Sequence, residues 1–148
     1  PIIILLCQRD PTLIIVEEPE AHLNPRQQCE LASTIARQQK RNGHKVILET
    51  HSEHIQLRLS REMRKFFNKK SDAPAGDDSI IPLKRDDVSI YYISAEPDDF
   101  DDLKEYPTNY IGARVRQIEL QKNGDLMSNW PGAKEFFGDS FKEAFMDE

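Results

Sequence analysis

The chain has 148 residues, 38% hydrophobic and 31% charged, and 20 Lys and Arg against 26 Asp and Glu give a formal net charge of −6. This length fits one domain, and the composition disfavours a disordered chain. No apolar run approaches the roughly 18 residues of a membrane helix, and the N-terminus lacks the pattern of a signal peptide. We therefore expect a cytoplasmic protein with no membrane partner, in which Cys7 and Cys29 are buried small side chains.

The start of the chain suggests a fragment, and the charge distribution suggests two parts with different surroundings. Pro1 is followed at once by the aliphatic run 2–6, with no Met, which predicts a fragment whose buried start packs against sequence outside the 148 residues. Residues 1–87 hold 14 Lys and Arg against 13 Asp and Glu, whereas residues 88–148 hold 6 against 13. We expect these two parts to face different surroundings.

The predicted elements of the first part alternate between strand and helix. The apolar run 13–16, which lies between two prolines, predicts a strand buried on both faces of a parallel sheet. Asn24 is the expected cap of a helix that ends near Arg41, and Asn42-Gly43 is its expected C-terminal cap. Residues 46–48 predict a second buried strand, so the three elements form a βαβ unit with parallel strands and the fold class is α/β.

A further helix is predicted to begin at Ser52, with one apolar stripe and a mainly basic remainder. Its cations are Arg58, Arg61, Arg64, Lys65, Lys69 and Lys70. Such a stripe can contact DNA phosphates, although it is more often a solvated helix face.

The remaining elements are a loop followed by a mainly β region. We predict a surface loop at 68–87, strands at 88–94 and 111–120, a turn at 123–124 and a short helix near the C-terminus. In the second of these strands, the alternation of apolar and polar residues is interrupted between Val115 and Ile118. A bulge near Gln117 explains the interruption.

Carboxylates and a histidine follow the two predicted parallel strands. Glu17 and Glu18 end the first strand, and His51 follows the second. Ligands of open α/β sheets bind at this edge, so we expect the three side chains to converge there. Carboxylates at this position suit a Mg²⁺–nucleotide, Glu18 can orient and polarise an attacking water, and an imidazole can contact that water or a terminal phosphate. Solvated loop acids and a helix-capping or core histidine are the simpler alternative.

Two segments carry a family resemblance: Leu-Ile-Ile-Val-Glu-Glu-Pro-Glu-Ala-His-Leu-Asn-Pro at 13–25 and Ile-Leu-Glu-Thr-His-Ser-Glu-His at 47–54. They resemble the second half of an ABC-type ATPase head, and more narrowly the RecF/SMC/OLD-like AAA ATPases. The resemblance implies that residues 1–87 are the C-terminal half of such a head, a partial P-loop NTPase with a parallel sheet and flanking helices. Residues 88–148 are then a small β-rich extension with a hairpin and a helix.

The resemblance also implies roles for individual residues, with ATP and Mg²⁺ as cofactors. Glu17 of the Walker B strand would hold Mg²⁺ through water, Glu18 would be the catalytic base, and His51 of the H-switch would contact the γ-phosphate. The implied D-loop residues are Glu20, His22 and Asn24. Glu17 stands where ABC enzymes more commonly have Asp, as is typical of this subgroup.

The end of the chain carries a second resemblance. Ser128-Asn129-Trp130-Pro131, followed by Phe136-Phe137-Gly138-Asp139, is similar to a small C-terminal domain of unknown function that is attached to some of these ATPases.

The phosphate-binding half of an ATPase site is missing from the sequence. None of the six glycines lies in a Gly-x-x-x-x-Gly-Lys-Ser/Thr loop, and no Leu-Ser-Gly-Gly-Gln-like signature is present. We expect the 148 residues alone neither to bind ATP tightly nor to hydrolyse it, and to need the N-terminal lobe of the same protein. The family further implies a head-to-head homodimer with ATP that acts on DNA or on a partner effector, in repair or phage defence.

Two other functions stay open. The first is a non-catalytic interaction module, in which the hairpin, Trp130 and the C-terminal phenylalanines dock a partner. The second is part of a Toprim-type nuclease, suggested by the acidic run 98–102.

Overall fold

A computed structural model describes residues 2–69, 80–94 and 113–126. Its elements are α1 (Ile2–Leu6), β1 (Leu13–Glu17), α2 (Pro25–Asn42), β2 (Lys45–Glu49), α3 (Glu53–Phe67), the 3-10 helix η1 (Arg85–Asp87), β3 (Ile90–Ser94) and β4 (Arg114–Ile118). Strands β1 and β2 pair in parallel, and β3 and β4 pair antiparallel. The predicted α/β class is confirmed: a small parallel sheet with flanking helices, consistent with a partial P-loop NTPase.

The local signals at both ends of α2 act as predicted. The Asn24 side chain accepts a hydrogen bond from the Gln27 backbone N–H at 3.0 Å, and the Gln27 side chain accepts one from the Asn24 N–H at 3.1 Å. At the other end, Gly43 has a φ of 72° and donates its N–H to the Gln39 carbonyl at 2.8 Å. Both helix ends are therefore satisfied by their own flanking residues.

Helices α1 and α2 cover one face of the parallel sheet. Ile14 of β1 packs there with Leu6 of α1 and with Leu31 and Ile35 of α2. The opposite face carries large hydrophobic side chains that are more than half exposed: Leu13, Ile15 and Ile47. The prediction that β1 is buried on both faces is therefore wrong for the described residues, because both of these helices lie on the same side.

His44 joins α1 to the starts of both parallel strands. Its ring is completely buried, with Nε2 lying 3.1 Å from the Leu6 carbonyl oxygen. Its Nδ1 accepts a hydrogen bond from the Thr12 backbone N–H at 3.2 Å. Both ring nitrogens thus bond to the backbone, Nδ1 as the acceptor from Thr12 and Nε2 as the partner of the Leu6 carbonyl.

A second core forms between α3 and the residues that follow it. Met63 lies in a cluster with Ile81, Leu83, Ile118, Leu120, Leu126 and Ala36 of α2. Ser60 of α3 donates a hydrogen bond to the Gly124 carbonyl at 2.8 Å, and Arg64 donates one to Asp125 at 2.8 Å. The 121–125 turn therefore packs directly on α3.

Two predictions about this region are wrong. Ile81 and Leu83 are 2% and 3% exposed and lie in the second core, so the 68–87 segment is not wholly a surface loop. The pairing of β4 with β3 is continuous through Gln117, without a bulge. The alternation of apolar and polar residues is interrupted because two apolar residues lie on opposite faces of the β3–β4 pair. Val115 is exposed on the outer face, whereas Ile118 is buried on the inner face.

The described helices and the two cysteines bear on two further predictions. Among the described residues, no helix has the length and apolar character needed to cross a membrane. Cys29 is half-buried but Cys7 is exposed, so the expectation that both are buried is wrong for Cys7, which lies just after α1. The predicted terminal helix, the acidic run 98–102 and Trp130 lie outside the described residues.

Candidate active site

The candidate site lies at the edge of the sheet where β1 and β2 end. Glu17 and Glu49 are the last residues of the two strands and stand opposite each other in the parallel register. The ladder continues for one more hydrogen bond, from the Glu18 N–H to the Glu49 carbonyl at 2.9 Å. Residues that follow the two strands are thereby held side by side.

Three side chains converge at this edge. The Nε2 atom of His51 lies 3.2 Å from an oxygen of Glu49 and 4.0 Å from an oxygen of Glu18. The other Glu49 oxygen accepts a hydrogen bond from the Glu18 N–H at 3.2 Å. All three side chains are exposed, so water and a ligand can reach the cluster.

The turn after β1 has an unusual backbone. Glu18 and His22 have φ values of 41° and 67°, which only glycine adopts without strain. Two hydrogen bonds hold the turn, from the Ala21 N–H to the Glu18 carbonyl at 3.0 Å and from the Leu23 N–H to the Glu20 carbonyl at 2.9 Å. The left-handed conformation at Glu18 ends the strand immediately before the turn.

Glu20 connects this turn to the loop after β2. One of its carboxylate oxygens accepts a hydrogen bond from the His51 backbone N–H at 2.7 Å. The second oxygen, Oε2, is buried and makes no hydrogen bond within the described part of the chain. Glu20 therefore fixes the backbone of His51, while the His51 ring faces Glu18 and Glu49.

Ser52 fixes the other side of His51. Its hydroxyl accepts a hydrogen bond from the Ile55 N–H at 3.2 Å, which caps α3, and donates one to the Gln28 side chain of α2 at 2.6 Å. His51 is thus held between the cap of α3 and the turn after β1.

The other predicted site residues have different surroundings. Glu17 is exposed at the end of β1 and is not part of the three-residue cluster. Of the predicted D-loop residues, Asn24 caps α2 and His22 is exposed. Only Glu20 of that loop contacts the residues at the sheet edge.

Glu49 belongs to this cluster but is not among the site residues predicted from the sequence. Its position in the sequence could have indicated the site, because Glu49 ends the second strand just as Glu17 ends the first. Parallel strands of equal length place their last residues at the same edge, so counting the register would have found it.

The donor chemistry of the edge fits the expected cofactor in part. Carboxylate oxygens are the ligands that Mg²⁺ prefers, and Glu17, Glu18 and Glu49 provide them. An imidazole is a poor Mg²⁺ ligand but a good partner for a phosphate oxygen.

Three of the six cations of the predicted basic stripe pair with carboxylates in the described part of the chain. Arg58 and Lys65 lie 2.8 Å and 3.2 Å from Glu62, a carboxylate that is only 1% exposed. Arg64 pairs with Asp125 at 2.5 Å. These three cations are engaged inside the protein, and contact of the stripe with DNA stays a prediction.

The fold and the site together define a class, an α/β domain with acids and a histidine at the carboxyl edge of a parallel sheet. Residues 5–56, about a third of the chain, match the model of a family described as AAA ATPase domain. The match includes β1, β2 and the whole candidate site. It supports an AAA-type ATPase domain in this part of the chain, with nucleotide binding and an ATPase-type function. No curated protein and no solved structure matched the chain.

Proposed function

We propose that residues 1–87 supply the Walker B, D-loop and H-switch side of an ATP-hydrolysing site, in an ABC-type head of the RecF/SMC/OLD-like kind. The observation that carries the proposal is the approach of Glu18 to His51, 4.0 Å apart at the carboxyl edge of the sheet. This edge lies within the segment that matches an AAA ATPase domain. Residues 88–148 are then the small β-rich extension of that head.

Each residue of the edge has a chemical task in this proposal. Glu18 accepts a proton from the attacking water, for which an exposed carboxylate at the turn is accessible. His51 would donate a hydrogen bond toward the γ-phosphate, and Glu17 would hold Mg²⁺ through water. Bound Mg²⁺–ATP supplies the polarised phosphoryl group and spreads its developing charge.

The phosphate-binding loop has to come from outside the 148 residues, because the chain contains none. We infer that it belongs to an N-terminal lobe of the same cytoplasmic protein, and that two heads join through ATP as a homodimer. Repair of DNA or control of a defence effector is the work that such a head would drive.

The test begins with the DNA upstream of the Pro1 codon, read in frame for a phosphate-binding loop and a signature motif. The protein encoded by the whole reading frame is then purified, and its ATP hydrolysis is measured with Mg²⁺. We expect Glu18→Gln to lower kcat by about 100-fold or more, since the amide cannot accept the proton.

Glu119→Gln is the matched control, because Glu119 is an exposed glutamate after β4, away from the β1–β2 edge. It should hydrolyse ATP at the wild-type rate. Wild-type turnover in Glu18→Gln, or a reading frame that starts at residue 1, would overturn the proposal.

A further inference from the structure

Glu49 contacts two of the three residues to which the proposed function gives a chemical task, His51 at its ring and Glu18 at its backbone N–H. One carboxylate oxygen lies 3.2 Å from Nε2 of His51, and the other accepts a hydrogen bond from the Glu18 N–H at 3.2 Å. A single side chain therefore joins the imidazole to the backbone of the turn that carries Glu18.

We propose that Glu49 is a positioning residue, which holds the Glu18 turn and the His51 ring in a fixed relation. This inference rests on the proposed function, because it names what orders that site. Glu18 and His51 are exposed, and an exposed side chain loses rotamer freedom when it is held for reaction. The two contacts of Glu49 remove part of that freedom before a ligand binds.

The contact also orients the His51 ring. The Nε2 atom of the ring faces the Glu49 carboxylate, which accepts hydrogen bonds and cannot donate one. Removal of the carboxylate leaves the ring free to rotate and to exchange tautomers. The ring nitrogens of His51 therefore report the contact directly.

Loss of Glu49 should leave the fold intact. The side chain is about half exposed at the end of β2, and the backbone hydrogen bond from the Glu18 N–H to the Glu49 carbonyl does not depend on it. Substitutions at residue 49 can thus be studied in folded protein.

The first experiment records ring-nitrogen NMR signals of the 148-residue chain, labelled with ¹⁵N-histidine, as wild type, Glu49→Ala and Glu49→Gln. In Glu49→Ala, we expect the His51 signals to move to those of a freely exchanging ring and the Glu18 amide to exchange with solvent about tenfold faster. Glu49→Gln keeps one acceptor oxygen and should show a smaller change. His54, whose Nε2 lies 3.9 Å from Glu53, is the internal control and should not change.

The second experiment measures ATP hydrolysis by the protein of the whole reading frame. We expect Glu49→Ala to lower kcat by about 10- to 100-fold with KM within twofold, because misplaced groups slow the chemical step. Glu49→Gln should recover part of that loss, and Glu119→Gln should match the wild type.

The two experiments separate the possible failures. Unchanged His51 signals in Glu49→Ala would overturn the contact, whatever the ATPase result. Unchanged kcat in Glu49→Ala, with an active wild type, would overturn its role in positioning. An inactive wild type with changed His51 signals would overturn the proposed function and with it a catalytic role for Glu49, while confirming that Glu49 holds the ring.

Discussion

The carboxylate of Glu20 accepts a hydrogen bond from the backbone N–H of His51, 31 residues further along the chain, at 2.7 Å. The bond joins the turn after β1 to the loop after β2 at the carboxyl edge of the sheet. A hydrogen bond to a carboxylate is stronger than one between neutral groups. The relative position of these two loops therefore depends in part on the Glu20 side chain.

Substitution of Glu20 should loosen this edge. Glu20→Ala leaves the His51 N–H without its acceptor, and we expect the free energy of unfolding to fall by about 1–2 kcal/mol. Glu20→Gln keeps an acceptor oxygen and should lose less than half as much. Urea unfolding measures the stability of both variants, and hydrogen exchange at the His51 amide measures the loss of the bond itself. Equal stability of the alanine and glutamine variants would show that the bond contributes nothing.

His44 should be important for the stability of the first core. The ring is fully buried and bonds to Leu6 and Thr12, so His44→Ala both opens a cavity and leaves two backbone groups unpaired. We expect a loss of about 2–4 kcal/mol in urea unfolding. His54→Ala, at a partly exposed ring, is the control and should cost less than about 1 kcal/mol. Equal losses in both variants would contradict this account of His44.

Gly124 should tolerate no side chain. Its φ is 89°, and a Cβ atom at this position would lie 2.3 Å from the Cβ of Met63, which is part of α3 and cannot rotate away. We expect Gly124→Ala to lower the free energy of unfolding by about 2–3 kcal/mol.

Gly43 provides the matched comparison. Its φ is 72°, but an added Cβ would come no closer than 3.7 Å to Pro11, an ordinary contact. Gly43→Ala therefore suffers backbone strain alone, of about 1 kcal/mol. Thermal unfolding of the two variants compares them, and an equal shift of Tm would show that the contact with Met63 is not the cause.

Asp87 should make the stability of the protein depend on pH in acid. Burial alone would raise the pKa of Asp87, but hydrogen bonds from the Lys40 side chain and the Lys84 backbone, with the charges of both lysines, outweigh it and lower the pKa below 3.8. The Lys40 Nζ atom lies 2.5 Å from the Asp87 carboxylate. A lowered pKa in the folded state means that this stabilisation is complete well above 3.8 and is lost as the pH falls through the folded value.

The variant Asp87→Asn tests this pH dependence. It should be less stable than the wild type near neutral pH, and the difference should shrink as the pH falls below 3.8. Asp86→Asn, at an exposed neighbour in η1, should show no such trend. Urea unfolding from neutral pH to below 3.8 measures the stability of both variants. A stability difference that stays constant with pH would contradict the ion pair with Lys40.

Local signals in the sequence were sufficient for helices α2 and α3 and for part of the site. The Asn24 cap, the Gly43 stop and the Ser52 cap depend on residues within a few positions of one another, so α2 and α3 could be placed before any packing was known. The parallel pairing of β1 and β2 followed from the helix between them, and it placed Glu18 and His51 at one edge.

Other features depended on contacts between distant residues, and only the tertiary structure decided them. The bonds of Glu20 to His51, His44 to Leu6 and Ser60 to Gly124 span 31, 38 and 64 positions. No local pattern encodes such distances, because side chains far apart in sequence meet only when whole elements pack. For the same reason the bulge near Gln117 and the second buried face of β1 were predicted wrongly: a run of apolar residues shows which side chains can be buried, but only the packed elements decide which of them are covered.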